Sequence, residues 1–237
     1  MHRTRPLPLL FRKTLLSLIT TSLLILICYF WIDPLVAYWV DHQSWKQSLF
    51  FRNSTHLADG ISLWSFFYYC YFAWAFPKQN PSSLLPRENR SSAWPGLTVA
   101  NSVAIAFFIK DALKIPFGRY WPTTWTNNNP SLLHDHAYGF HWFHQGVMYQ
   151  SFPSGHTAVA VAFMIALWHS YPHGLWKWGG VLLAALIVIG LLACNYHFMG
   201  DLLGGAWVGA IVAYYTHATK EGHDSTATKN LPLRGSG

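Results

Sequence analysis

Six apolar stretches punctuate the chain, each bounded by proline, glycine or clustered charge. They run from about Thr14 to Ile32, Ile61 to Phe76, Leu97 to Leu113, Pro153 to His169, Trp178 to Tyr196 and Gly200 to Tyr215. A helix of about 18 residues covers roughly 27 Å, close to one hydrocarbon core, so each stretch predicts a transmembrane helix. The first stretch outlasts the apolar region of a signal peptide and no small-residue cleavage site follows it. Tyr29-Phe30-Trp31 at its end reads instead as an interfacial aromatic belt, so this helix is expected to be retained. The resulting fold class is all-α: a polytopic bundle of six transmembrane helices.

The intervening segments complete the layout. A basic arm covers 1–13, the six-helix domain covers 14–217, and a polar tail covers 218–237, of which 231–237 is given no role. Between the first two helices, Val36, Trp39, Trp45, Leu49 and Phe50 suggest amphipathic pieces on the membrane surface. Residues 77–94 read as a polar loop carrying three prolines. Pro116-Phe117-Gly118 ends the third helix, and a polar, aromatic outer loop over 121–150 follows.

Composition agrees. The chain is 52% hydrophobic and only 11% charged, well below the quarter or so usual in soluble domains. Its net charge of +7 acquires meaning from where it lies. With six spans, eleven of the 16 Lys and Arg residues fall on the side of the termini and five on the other. Positive residues stay inside, which places both termini in the cytoplasm, as in a bacterial inner membrane, and removes the main argument for nucleic acid. Cys28, Cys70 and Cys194 lie within or at the end of apolar runs and form neither a disulfide framework nor a metal pattern.

The same topology gathers three polar clusters at one outer face: Lys114 to Arg119, Ser151 to Thr157, and His197 with Asp201. Ser154-Gly155 at the start of a helix offers backbone N–H groups to an anion. His197 and Asp201 are four apart and share a helix face, so the carboxylate can fix the ring's tautomer and leave the other nitrogen as a nucleophile. His156 can exchange a proton with a leaving oxygen, and Lys114 and Arg119 can neutralise phosphoryl oxygens. Singly, each has an ordinary role as a capping or snorkelling side chain. Together they describe phosphoryl transfer through a phosphohistidine, with no metal or other cofactor required. His134, His136, His141 and His144 in the outer loop, with Lys110, are read as donors to a polar head group; a structural metal site is the other reading, for which their spacing is not diagnostic.

Lys114-x4-Arg119-x2-Pro122, Pro153-Ser154-Gly155-His156 and His197-x3-Asp201 resemble the three signature motifs of the type 2 phosphatidic acid phosphatase (PAP2) superfamily. The resemblance covers roughly Val99 to Tyr215. It implies a six-helix membrane enzyme acting on lipid phosphates or diphosphates without metal. It also implies His197 as nucleophile, Asp201 as its partner, His156 as acid and base, and Lys114, Ser154 and Gly155 as phosphate binders. Two arginines of the family pattern are absent, since their positions hold Trp121 and Leu191. Arg119 is the local candidate to replace the first; nothing nearby replaces the second.

The expected activity is therefore removal of a terminal phosphate or diphosphate from a membrane lipid at a periplasmic site. Lipid A phosphates, undecaprenyl diphosphate, phosphatidylglycerophosphate and phosphatidate all qualify, with the Gly118-Arg119 pair and the polar loop favouring a large head group. A phosphotransferase passing the phosphoryl group to a second lipid would use the same residues. A non-catalytic lipid-binding or transport relative would keep the helices alone. Nothing in the sequence specifies an oligomeric state.

Overall fold

A computed structural model describes residues 7–75, 87–125, 127–171 and 174–229; side chains are described over 10–75, 95–125, 127–171 and 174–218. Nine α-helices occur among these residues: α1 (Leu7–Ile27), α2 (Asp33–Asp41), α3 (Leu49–Thr55), α4 (Leu57–Ala75), α5 (Arg87–Phe117), α6 (Leu132–Asp135), α7 (Gly155–Ser170), α8 (Gly174–Ala193) and α9 (Met199–Lys229). The described residues hold no strand, only isolated bridges within the outer loop and between it and Arg119.

Three helical stretches are long and apolar enough to cross a membrane by length and composition: Leu10–Asp41, Pro95–Phe117 and Gly174–Ala193. They mark the chain as a membrane protein. The first buries almost none of its surface against the rest of the chain and presents Leu15, Leu16, Leu23, Leu24 and Phe30 outward. An apolar helix left bare in this way suits lipid rather than water. Gly155–Ser170 is apolar but shorter, and neither α4 nor α9 is among the three. In α4 the tyrosines at 68, 69 and 71 and Asp59 dilute the apolar run.

Helix α7 is the axis of the bundle. It packs against α4, α5, α8 and α9, and Ala158, Ala160, Ala162 and Ala166 give it small, buried surfaces. A helix apolar on every side belongs in the interior. Its closest neighbour is α9, where side chains are missing by necessity: a Cβ on Gly205 would strike Ser154 O, and one on Gly209 would strike Ala158 O. Two glycines four apart let helix backbones approach closely. This contact sets the register of α9, and Asp201, one turn before Gly205, lands beside Ser154.

Three boundaries differ from those expected. The first apolar run does not end at Ile32: a π-helical turn over Cys28–Ile32 carries it into α2 and on to Asp41. The added residue of such a turn rotates the helix beyond it, and Asp33 is buried instead of lying on the surface. The polar loop expected over 77–94 is already helical from Arg87, and its residues 77–86 lie outside the described set. Helix α9 continues to Lys229, through most of the expected tail.

Candidate active site

The start of α7 is built by Ser154. Its hydroxyl oxygen caps the helix, accepting from Thr157 N at 3.4 Å and from Thr157 Oγ1 at 3.0 Å. Its own N–H donates to Asp201 O at 3.0 Å. Ser154 is thus a fully buried anchor whose N–H is already engaged, unlike the free donor expected from the sequence. Pro153 lies outside the helix, before the cap. The first-turn amides of Gly155 and His156 remain the ones that have no partner within the helix. Gly155 also leaves room for Lys110, whose side chain would have to shift for a Cβ that would sit 2.8 Å from its Cδ.

Asp201 is the hub of the site. Its Oδ2 accepts from Ser151 Oγ at 2.6 Å and Phe198 N at 3.0 Å, and lies 3.5 Å from His197 Nδ1. That last distance is long for a hydrogen bond, and such catalytic contacts commonly tighten only around a substrate. Burial disfavours the charged ring and pushes the pKa of His197 below its ordinary value, with Asp201 working in the opposite direction. Burial thus favours the neutral imidazole, the form able to act as a nucleophile.

Asp201 Oδ1 belongs to a second network. Arg119 donates to it at 2.6 Å and to Asp33 Oδ2 at 2.7 Å, with Tyr138 Oη at 3.1 Å. The guanidinium is fully buried. Rings of Phe198, Phe140, Tyr29 and Tyr138 surround it, the nearest centroid 4.4 Å away. Burial alone would lower its pKa, but the two carboxylates overcome that and raise it. Asp33 Oδ1 also accepts from Gly200 N at 3.0 Å, tying the first span to the start of α9. Arg119 is thus a structural clamp between α2 and α9, set apart from the phosphate position the sequence suggests for it.

A cavity of about 680 Å³ opens beside this hub, within the range of small-molecule sites. His197, His156, Gly155, Lys114 and Lys110 all line it. The two lysines share Asp111, at 3.6 Å from Lys114 and 2.8 Å from Lys110. Trp121 and Leu191, at the two vacant arginine positions, form apolar wall. The Trp121 ring lies 5.1 Å from that of His197, and its indole N–H donates to Val147 O at 2.8 Å.

The outer loop contributes differently from expectation. Trp121, Trp125, Val147 and Gln150 reach the cavity, whereas His134, His136, His141 and His144 are not among its lining residues. His134, His136 and His144 are exposed, and His141 and His144 pack against Tyr149. Among the described residues no cluster of histidine, cysteine and carboxylate side chains could hold a metal ion.

Sequence reasoning missed the opposite wall. Arg52 and His56 from the α3–α4 corner and Asp59 from α4 line the cavity. Asp59 lies 3.6 Å from His156 Nε2 and 3.2 Å from His56 Nδ1. The spacing of His56 and Asp59 was a readable helical pair; their meeting with His156, almost a hundred residues on, was not. Asp33 left only one trace, a charge directly after an apolar run.

No curated protein and no solved structure matches this chain. The family model described as the PAP2 superfamily does, over residues 95–223. That segment spans more than half of the chain and holds every residue of the three motifs, from Lys114 to Asp201, so the chain belongs to the PAP2 superfamily.

Proposed function

We propose that this protein is an integral-membrane lipid phosphatase that removes a terminal phosphate or diphosphate through a phosphohistidine intermediate. Members of the PAP2 superfamily are generally phosphatases, which supports phosphoric ester hydrolysis as the reaction class. One observation carries the finer reading: His197, His156, Gly155 and Lys114, supplied by two helices and a loop, line one cavity.

In this reading the lysines and the first amides of α7 hold the phosphoryl oxygens. His197 Nε2 attacks phosphorus while Asp201 secures Nδ1, and the bond to the lipid oxygen breaks. His156 protonates that oxygen, then removes a proton from the water that attacks the phosphohistidine, releasing phosphate and regenerating His197. The partly apolar wall and the bare, apolar first helix favour an amphiphile: lipid A phosphate, undecaprenyl diphosphate, phosphatidylglycerophosphate or phosphatidate. Six spans with both termini cytoplasmic would open the site at the outer, periplasmic face, in keeping with the distribution of Lys and Arg.

The test is phosphate release by purified protein, with chelator present, across those lipids and beside His197→Ala. Release that vanishes in the variant supports the reading. No release from any lipid, with lipid binding unchanged in the variant, would favour a non-catalytic relative. Transfer to an added acceptor lipid in place of release would favour a phosphotransferase.

A further inference from the structure

The site lacks two arginines of its family pattern, and the structure points to a cation from elsewhere. Leu191, at the second vacancy, lines the cavity, and its neighbour Gly190 is where α3 docks onto α8. A Cβ at Gly190 would collide with Ser54 Oγ and crowd Phe51 O at 2.7 Å. Ser54 then fastens the contact, donating to Leu186 O at 3.1 Å. The absence of side chain at 190 and the arrival of α3 are therefore one feature. Helix α3 brings Arg52 to the same cavity.

Arg52 also differs from the other cations in its surroundings. Arg119 is committed to two carboxylates, and Lys110 and Lys114 share Asp111. Among the described residues no carboxylate lies within ion-pair distance of Arg52. It lines a second cavity as well, of about 650 Å³, with Lys46, Gln43, Gln47 and Thr124. A planar fork without an acidic partner, at the junction of a lysine-bearing cavity and a polar one, is suited to oxygen atoms of a phosphate ester.

We propose that Arg52, from outside the segment matched to the family, binds the phosphoryl oxygens of the substrate and takes over the charge missing at Leu191. This rests on the phosphatase reading above. The contact is ground-state binding of an anion, so its loss raises KM more than it lowers kcat. Removing a hydrogen bond to a charged group is worth about 10- to 100-fold.

The experiment pairs kinetics with binding. Phosphate release and inorganic phosphate affinity, followed through fluorescence of the cavity tryptophans, are measured for wild type, Arg52→Ala, Arg52→Lys and Lys46→Ala. Lys46 lines the second cavity and not the first, and is ion-paired with Asp41. The expected result is a KM and a phosphate Kd about 10- to 100-fold higher in Arg52→Ala, partial recovery in Arg52→Lys, and little change in Lys46→Ala. Affinity and KM unchanged in Arg52→Ala, while His197→Ala abolishes release, would overturn this proposal and leave the phosphatase reading standing. Equal losses in Arg52→Ala and Lys46→Ala would reduce the effect to a diffuse field and overturn it too. A wild type that neither releases nor binds phosphate would overturn both.

Discussion

Replacing Arg119 with methionine separates two roles that the sequence leaves alike. As a phosphate ligand, Arg119 would mainly set KM. As the clamp seen in the structure, it neutralises Asp33 and Asp201, both fully buried, through bonds of 2.7 and 2.6 Å. Methionine keeps most of the volume and removes the charge, leaving two carboxylates facing each other in an apolar ring cage. Breaking a buried pair from one side costs about 3–5 kcal/mol, because the partner's desolvation is no longer offset. For a chain of this size that corresponds to roughly 6–20 °C in melting temperature.

The assay is thermal unfolding in detergent, beside steady-state kinetics. Arg119→Met should melt well below wild type, lose kcat as Asp201 loosens, and hold KM within about threefold. Arg119→Lys should be intermediate, since one ammonium cannot fork to both carboxylates. Adding Asp33→Asn to Arg119→Met should restore part of the loss by removing one orphaned charge, a coupling that a double-mutant cycle isolates. A variant that melts with wild type while its KM rises tenfold or more would refute the clamp and return Arg119 to the substrate.

Two further outcomes bear on the chemistry. Because burial lowers the pKa of His197, its neutral form survives as pH falls through about 6.5, and the acid limb of kcat/KM should appear only below that value. A limb at or above 6.5 would contradict it. Asp201→Asn removes the opposing influence and should move the limb lower still, while cutting kcat by ~100-fold or more through loss of the tautomer. Asp59 places a carboxylate 3.6 Å from His156 on the wall of the cavity, where it would oppose the anionic substrate proposed above. Asp59→Asn should therefore lower KM and kcat together, each by about three- to tenfold; two unchanged constants would make Asp59 a solvated surface group.

Much of the site was legible in the sequence because its geometry is local. A proline followed by Ser-Gly-His marks a helix start whichever residue caps it. His197 does not share a helix face with Asp201 as its spacing suggests: it lies two residues before α9, and the pair meets because Asp201, in the first turn, turns its carboxylate back to Phe198 N at 3.0 Å. Lys114 needed only a helix ending near Pro116. What was not legible depends on distant partners. Arg119 could serve a phosphate or a carboxylate equally well, and the choice was made by Asp33, 86 residues earlier. That residue faces inward because a π-helical turn rotates it, and no propensity in Cys28–Ile32 announces such a turn. The loop histidines read as head-group donors by composition alone, yet it is Trp121 and Trp125 from this segment, and none of the four histidines, that line the cavity.

Asp201 shows why the chain before residue 95 cannot be treated as a passive anchor. Its two oxygens divide the molecule: Oδ2 faces Ser151, the Phe198 amide and His197, while Oδ1 is held by Arg119 and, through it, by Asp33 on the first span. The orientation of the proposed nucleophile thus depends on a helix outside the family segment. The same holds across the cavity, where the α3–α4 corner supplies Arg52, His56 and Asp59. Asp33 is buried on the inner side of that bare first span, and only two side chains, Arg119 and Asp201, stand between it and His197. A change in bilayer thickness that tilts the first span should therefore alter kcat before it alters KM, since the residues it moves hold the nucleophile and not the phosphate.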